Sequence, residues 1–368
     1  MTDQATGLTK GAQTIPNGML DDNYPRNMWW CAAHVDEVTE TPMARWLLEK
    51  PVVLYRLSDG TPVALDNRCP HRWAPLSEGK VIEDQLVCPY HGLSFGADGI
   101  CTKVPTQDRV PTSARVQSYP LRQSGAYLWI WMGDPATIDR DPVDMGYSIN
   151  PDWSYVCGYM EVETNWVLIR ENVLDLTHIP FLHANTFQQN DWDNVPEVTT
   201  EGETIIYRQD FPPSPLTPLF CAGFGFEDGK VVKREQEGRM PSLAVSFSDW
   251  KVHDSEAAPG ARVDFLMRGS HVVTPSQRGK THYFWGAAFD VPNIPPAVAE
   301  KTKANVVAAF NEDKTLLQKL QAQVEQDPRG LNYPEINLAA DAAGVRVRQL
   351  LKRKLKAERG PREVEDRA

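Results

Sequence analysis

The chain has 368 residues, enough for two domains or one large one, and its hydrophobic (41%) and charged (24%) fractions are ordinary. The net charge of −11 makes nucleic acid a poor partner, because phosphate binding needs a basic surface. No run of about eighteen apolar residues is present, so no membrane span is expected. The polar residues 1–22 are predicted to be a flexible tail of a cytoplasmic protein.

Residues 23–140 are predicted to form a small all-β domain. Segments 52–57 and 62–65 have strand character, and the Asp59-Gly60 pair between them is a strong hairpin signal. A further strand is predicted at 127–132. The Asp- and Pro-rich segment 134–152 is typical of a linker, so the second domain is expected to occupy residues 141–368.

This second domain is predicted to be α+β. Segment 165–185 has helical character, and strands are predicted at 204–211, 243–252, 263–273 and 282–289. Segment 295–326 predicts a long helix with a buried face, and 338–359 a second helix. The apolar positions that suggest the buried face are Val298, Val306, Phe310, Leu317 and Leu320. An antiparallel sheet gripping a long helix, behind a small all-β domain, follows.

The first candidate metal site lies in the β domain. Cys69-x-His71 and Cys88-x-x-His91 are separated by sixteen residues, and Pro70, Pro89 and Gly92 fit tight turns. Two thiolates and two imidazoles, one of each per loop, can hold a [2Fe–2S] cluster with a potential of roughly −150 to +300 mV. Tetrahedral zinc is the alternative, but zinc fingers usually place both cysteines together. The other four cysteines are predicted to be buried small hydrophobic residues: Cys31, Cys101, Cys157 and Cys221.

The second candidate site is Asp175-x-x-His178-x-x-x-x-His183. On an unbroken helix, histidines five residues apart would point roughly 140° away from one another. Pro180 lies between them and is predicted to break the helix, so that His183 can swing back. Asp175 and His178 would share a helix face. Two histidines and one carboxylate are the ligands of an O₂-activating Fe(II) site, although these residues alone leave a structural role open.

Together, the two motifs resemble those of the Rieske non-haem iron oxygenases, with Asn172 and Asp175 also in register with the iron motif. The resemblance implies a Rieske domain joined to a helix-grip catalytic domain, and Asn172 near the iron. It assigns the [2Fe–2S] ligands as Cys69, His71, Cys88 and His91, and the Fe(II) ligands as His178, His183 and an aspartate of the long helix. Register favours Asp313 for that aspartate over the adjacent Glu312.

The resemblance also implies an assembly and redox partners. In the family, three subunits form a head-to-tail ring, in which a carboxylate joins a cluster histidine of one subunit to an iron histidine of the next. Here Asp175 would join His91 to His178. The sequence contains no flavin or nicotinamide fingerprint, so electrons are expected from a separate NAD(P)H-dependent reductase, directly or through a ferredoxin.

Within the family, residues 268–275 resemble the dicamba monooxygenase and vanillate O-demethylase group. The resemblance implies that His271 faces the substrate and hydrogen-bonds a carboxylate or ether oxygen; an ordinary strand histidine is the alternative. Ala304 replaces a pocket tryptophan of that branch, which is expected to widen the pocket.

The expected reaction is monooxygenation of a small substituted aromatic compound with O₂, by oxidative O-demethylation of a methoxy group. N-dealkylation and ring hydroxylation by the same iron are the alternatives. A non-catalytic Rieske electron-transfer protein is an alternative of another class, and it would leave residues 150–368 without a role.

Overall fold

The computed structural model describes residues 24–186, 195–327 and 335–359. The predicted tail at 1–22 lies outside these ranges. Neither the long helix nor any other helix of the described ranges has the length and apolar character of a membrane-spanning segment.

The N-terminal region consists of short antiparallel strands in three small sheets, ordered β1–β10–β9, β2–β3–β4 and β5–β6–β7–β8. The predicted strands at 52–57, 62–65 and 127–132 correspond to β3, β4 and β10. The strands are β1 (Trp29–His34), β2 (Met43–Leu47), β3 (Lys50–Arg56), β4 (Pro62–Asp66), β5 (Lys80–Ile82), β6 (Gln85–Val87), β7 (Ser94–Phe95), β8 (Cys101–Lys103), β9 (Leu121–Ser124) and β10 (Tyr127–Trp131).

The segment between the two regions packs against the protein rather than forming an exposed linker. It contains the 3₁₀ helices Pro135–Thr137 and Gly146–Ile149, and Met145 and Tyr147 are buried. The buried apolar residues of the N-terminal region also belong to two separate clusters. One cluster lies around the metal-site loops, whereas β1 and β10 share a continuous core with the C-terminal sheet. A domain boundary at residue 140 stays a prediction.

The C-terminal region is built on a seven-stranded antiparallel sheet ordered β11–β17–β16–β15–β14–β13–β12. The four predicted strands correspond to β13, β15, β16 and β17. Sequence reasoning missed β11, β12 and β14. In β14 the alternating pattern is hidden by charged residues at inward positions, such as Arg234, which is buried and donates to Ser214 Oγ. The strands are β11 (Ser154–Val162), β12 (Glu197–Glu201), β13 (Thr204–Pro215), β14 (Val231–Ser242), β15 (Val245–His253), β16 (Asp264–Pro275) and β17 (Thr281–Phe289).

Five α-helices accompany this sheet in the described ranges: α1 (Trp166–Asn172), α2 (Ile179–Leu182), α3 (Pro218–Phe224), α4 (Pro296–Gln326) and α5 (Ala342–Arg359). The predicted break at Pro180 is wrong. The chain leaves α1 after Asn172 and makes the 3₁₀ turn Leu176–His178. Pro180 lies in the first turn of α2, where a missing N–H costs nothing.

Helix α4 is the long helix that the sheet grips, and it contacts β11, α1 and α3. The predicted α+β fold is therefore confirmed. The buried stripe of α4 differs from the predicted one, since Leu320 is 44% exposed. The observed buried stripe includes polar residues. It consists of Thr302, Val306, Ala309, Asp313, Leu317 and Gln321.

Three of the four remaining cysteines are buried as predicted, and Cys157 is only half-buried.

Candidate metal centres and substrate cavity

The two loops of the first site bring cysteine to cysteine and histidine to histidine. Cys69 and Cys88 are buried and their side chains contact each other. His71 and His91 are exposed, and their ring centroids lie 4.6 Å apart. Each loop closes on itself through its backbone: Cys69 N donates to Ala74 O at 2.9 Å and Cys88 N to Leu93 O at 2.8 Å.

This arrangement fits a binuclear cluster better than a single zinc ion. A tetrahedral zinc site would bring all four donors around one point. In the described ranges, however, the only group of three such donors within 4.8 Å of one another lies elsewhere in the chain. A buried thiol pair beside an exposed imidazole pair matches two irons with different ligands. Burial raises the pKa of Cys69 to about 11, so cluster binding must displace a thiol proton.

In the second site, the candidate metal ligands do lie close together. Donor atoms of His178, His183 and Asp313 all lie within 4.8 Å of one another. Asp313 Oδ1 is 3.5 Å from His178 Nε2, and Asp313 Oδ2 is 3.3 Å from His183 Nε2. One carboxylate facing two imidazole nitrogens at the edge of a cavity is the donor set of a non-haem Fe(II) site with open positions. The group fits the iron that the sequence predicts there.

Neighbouring polar groups hold these three side chains. Asn165 caps α1 by accepting from Val167 N, and Asn172, at the other end of the helix, donates to Asp313 Oδ1 at 2.9 Å. His178 Nδ1 donates to the backbone carbonyl of Asp175 at 2.7 Å. Contact between Asp175 and His178 is therefore made by the backbone and not by a shared helix face.

The carboxylate of Asp175 points to its own turn. Its Oδ1 accepts from Thr177 N at 2.9 Å and from Thr177 Oγ1 at 2.6 Å. Within the described ranges, no hydrogen bond is made by Oδ2. One oxygen of this half-buried carboxylate is thus left to accept a further donor.

Glu312 has a role that sequence reasoning missed when it treated this residue only as a rival of Asp313. His183 Nδ1 donates to Glu312 Oε2 at 2.7 Å, and Thr186 Oγ1 donates to Glu312 Oε1 at 2.7 Å. Such a carboxylate fixes the orientation of a ligating imidazole and directs its Nε2 towards the metal position.

The electrostatics of the site favour a carboxylate between two histidines. Burial works to raise the pKa of Asp313, but its hydrogen bond with His183 and the charge of His178 outweigh burial, so the pKa is lowered. Burial lowers the pKa of His178. Burial also acts against protonation of His183, yet Asp313 and Glu312 raise its pKa. A metal ion at this site would compete with that proton.

A cavity of about 520 Å³ opens beside these residues, a size suited to a small organic molecule. Its walls come from α3, α4 and the strands β15, β16 and β17. The apolar lining includes Leu176, Ile179, Leu219, Phe220, Trp250, Met267, Val306 and Phe310. The polar lining includes Asn172, His178, His183, Ser248, His271, Lys301, Asn305 and Asp313.

The expectation for Ala304 stays a prediction. Ala304 is exposed and is not among the residues that line the cavity. Its neighbour Asn305 does line the cavity, because each step along a helix turns the side chain by about 100°. Lys301 and Ala308, one turn away on either side, also line the cavity, so position 304 lies at its edge.

His271 lies on strand β16 and lines the cavity wall. Its Nδ1 is 2.6 Å from Tyr283 Oη. Burial, and then the charge of Arg170, lower the pKa of His271 to about 3. Arg170 is itself fully buried behind the wall and donates to the carbonyl of His271 at 3.3 Å. The imidazole facing the cavity is therefore neutral.

The fold and these sites define a class: a [2Fe–2S] domain of the Rieske type joined to a helix-grip domain with a mononuclear iron site. Family models agree. Residues 28–120 match the Rieske [2Fe-2S] domain and residues 162–357 match the vanillate O-demethylase oxygenase C-terminal domain. The second match covers more than half of the chain.

Characterised relatives extend over both domains. The iron-sulfur subunit of the toluene-4-sulfonate monooxygenase system of Comamonas testosteroni is 34% identical, over 91% of this chain and 98% of the relative. The oxygenase component of chloroacetanilide N-alkylformylase from Rhizorhabdus wittichii is 32% identical, over 92% and 98%. The crystal structure of dicamba monooxygenase bound to 3,6-dichlorosalicylic acid superposes with a TM-score of 0.83 at 30% identity, covering 92% of this chain and 99% of that chain.

The chain belongs to the Rieske non-haem iron oxygenases of the vanillate O-demethylase type. It is a terminal monooxygenase component with a [2Fe–2S] cluster and a mononuclear iron site. Since such components work in multi-component systems, it depends on a separate reductase. A pure electron carrier would not contain the catalytic domain, which excludes that alternative.

Proposed function

We propose that this protein uses O₂ and reductase-supplied electrons for the oxidative O-demethylation of a methoxylated aromatic compound. The observation that carries the proposal is the mainly apolar cavity that meets His178, His183 and Asp313 at one side. Iron held by these three residues would supply O₂ activation. Cys69, Cys88, His71 and His91 would hold the cluster that passes the electrons on one at a time.

The contribution of the chain is to hold and shield the substrate. Leu176, Phe220 and Phe310 can pack against an aromatic ring and exclude water, and a methoxy carbon held near Asp313 would be the one oxidised. Substrate, O₂, two electrons and two protons give the hydroxylated methoxy carbon and water. The hemiacetal formed in this way collapses to a phenol and formaldehyde.

A charged residue supports a substrate with an acidic group. Lys301 lines the cavity, and no ion pair of Lys301 occurs within the described ranges. Asn305, one turn further along α4, lines it too. An ammonium group and an amide at one side of an apolar cavity suit a carboxylate or sulfonate on the substrate.

The proposed assembly is a head-to-tail homotrimer in which Asp175 connects the centres. Large aromatic side chains are exposed near both of them: Trp73 (77%) and Tyr90 beside the cluster histidines, and Phe181 (86%) on α2. Exposed aromatic patches of this kind favour an interface. The unshared Oδ2 of Asp175 could accept from His91 of the next subunit, while its backbone carbonyl holds His178.

The proposed electron donor is an NAD(P)H-dependent reductase, acting directly or through a ferredoxin. Dependence on NAD(P)H supports a cytoplasmic location.

A panel of methoxylated and N-alkylated aromatic compounds, each as acid and as neutral analogue, tests the proposal. Purified protein with a generic NADH-dependent reductase should release formaldehyde from methoxylated acids and contain about three irons per chain. Release of an aldehyde from N-alkyl compounds alone would favour N-dealkylation, for which the N-alkylformylase relative is the supporting observation. Ring-hydroxylated products without formaldehyde would refute both.

A further inference from the structure

His271 on the cavity wall and the buried Tyr283 next to it form a pair of polar rings whose hydrogen bond has a definite direction. His271 on β16 and Tyr283 on β17 project from the same face of neighbouring strands. His271 pairs with Trp285, and Tyr283 lies two residues before Trp285, so its side chain points to the same side. Their rings are almost parallel, at an interplanar angle of 11°. His271 Nδ1 and Tyr283 Oη are 2.6 Å apart, the distance of a strong hydrogen bond.

Tyr283 must be the donor in this bond. Its side chain is buried, with 4% exposed, and burial raises its pKa well above the usual value, so the phenol keeps its proton. Within the described ranges, His271 Nδ1 is the only hydrogen-bond acceptor of Tyr283 Oη. If Nδ1 carried the proton instead, the buried hydroxyl proton would have no acceptor, at a cost of about 1–3 kcal/mol.

The direction of this bond fixes the other nitrogen of the imidazole. His271 is neutral because burial holds its pKa at about 3, and a neutral imidazole has one N–H and one acceptor nitrogen. With Nδ1 accepting from Tyr283, the proton lies on Nε2. Within the described ranges, Nε2 makes no hydrogen bond. It lies beside Gly269, another cavity-lining residue, since a Cβ built there would be 3.7 Å from Nε2.

We propose that Tyr283 is a positioning residue that holds His271 as the Nε2–H tautomer, so that the cavity presents one neutral N–H donor to a carboxylate oxygen of the aromatic substrate. The substrate assignment rests on the proposed function, whereas the tautomer does not. Because the donor carries no charge, its contribution to binding is constant between about pH 5 and 9. A substrate without an acceptor oxygen leaves this N–H unpaired and is disfavoured.

Nitrogen-15 NMR of the full chain, labelled at histidine and carrying its oxidised cluster, reads the tautomer directly. The chain has 8 histidines, and comparison with the His271→Leu variant identifies the signals of His271. We expect a protonated Nε2 and an unprotonated, hydrogen-bonded Nδ1, unchanged between about pH 5 and 9. In Tyr283→Phe the hydrogen-bond shift of Nδ1 should disappear. A protonated Nδ1 in the wild type would overturn the proposal, whether or not any substrate is known and whether or not the variant folds.

Kinetics test whether the tautomer matters for binding. Tyr283→Phe should raise the KM for 3-methoxybenzoate about two- to fivefold with a smaller change in kcat, and leave 3-methoxytoluene unaffected. In the His271→Leu background the same change should have no effect, because Tyr283 acts through His271. Tyr55→Phe, which removes another buried hydroxyl in the cluster domain, is the matched control and should change neither KM.

An equal rise in KM for both compounds, or the same rise in the His271→Leu background, would show that Tyr283 only supports the fold. If no methoxylated compound is a substrate at all, the proposed function fails, while the NMR result still decides the tautomer.

Discussion

Glu312 offers a sharp test of how the iron site is held. Its carboxylate accepts from His183 Nδ1 on one oxygen and from Thr186 Oγ1 on the other, each at 2.7 Å. Glu312→Gln preserves size and one acceptor oxygen but removes the charge, while Glu312→Ala removes both contacts. Loss of such a partner of a ligating histidine costs about 10- to 100-fold in metal affinity. We expect about tenfold weaker iron binding in Glu312→Gln and about a hundredfold in Glu312→Ala.

Competition with a chelator measures this effect, because the absorbance of the [2Fe–2S] cluster reports the concentration of intact protein in the same sample. The mononuclear iron should be lost at lower chelator concentration in the variants while the cluster spectrum stays unchanged. Glu300→Gln, at an exposed position of the same helix, is the control and should behave as wild type. Wild-type iron retention in Glu312→Ala would refute the role given to this carboxylate.

The remaining predictions concern the two centres and the contact between the domains. Asp175→Asn should leave the cluster reducible but stop substrate turnover, measured by stopped-flow reduction and formaldehyde release; normal turnover would remove the bridging role. His183→Ala should lose the mononuclear iron and keep the visible colour of the cluster, and bleaching of both would contradict separate sites. His282 donates from Nε2 to Trp46 O at 2.7 Å, and burial lowers its pKa from 6.5 to about 4. The unfolded chain therefore binds this proton at a higher pH than the folded chain does, and stability falls as the pH drops from about 6.5 towards 4. Between about pH 6.5 and 5 this amounts to about 2 kcal/mol; urea unfolding should show it, and His282→Gln should lose that part of the pH dependence.

The 3.6-residue period of α4 shows which of its residues the sequence could have assigned correctly. Asp313 occupies the same stripe as Val306, Ala309 and Leu317, all of them buried, and this spacing is visible in the sequence. Glu312 is one residue away and points to His183 from another side. The same phase argument does not remove position 304 from the pocket, since Lys301 and Ala308, one turn away on either side, line the cavity. A single residue along a helix turns the side chain by about 100°.

The break before Asp175 had a weaker signal in the sequence. A helix break was predicted at Pro180 because proline disrupts the interior of a helix. In the first turn of a helix, where Pro180 lies, proline is tolerated. The side chain that ends the irregular segment is Asp175 itself, which caps the next turn through Thr177. Aspartate is a common N-cap residue. Asp175, which was assigned a role in electron transfer, therefore also marked the start of a new helical turn.

The sequence by itself determined the two metal motifs, the α+β architecture and the class of chemistry, because ligand type and local spacing are written along the chain. Tertiary structure decided the rest: that Asp313 meets two histidines more than a hundred residues away, that Glu312 supports one of them, and that Tyr283 faces His271. These relations depend on how a sheet and a helix pack. Packing brings together side chains whose separation along the chain carries no information about their distance in space.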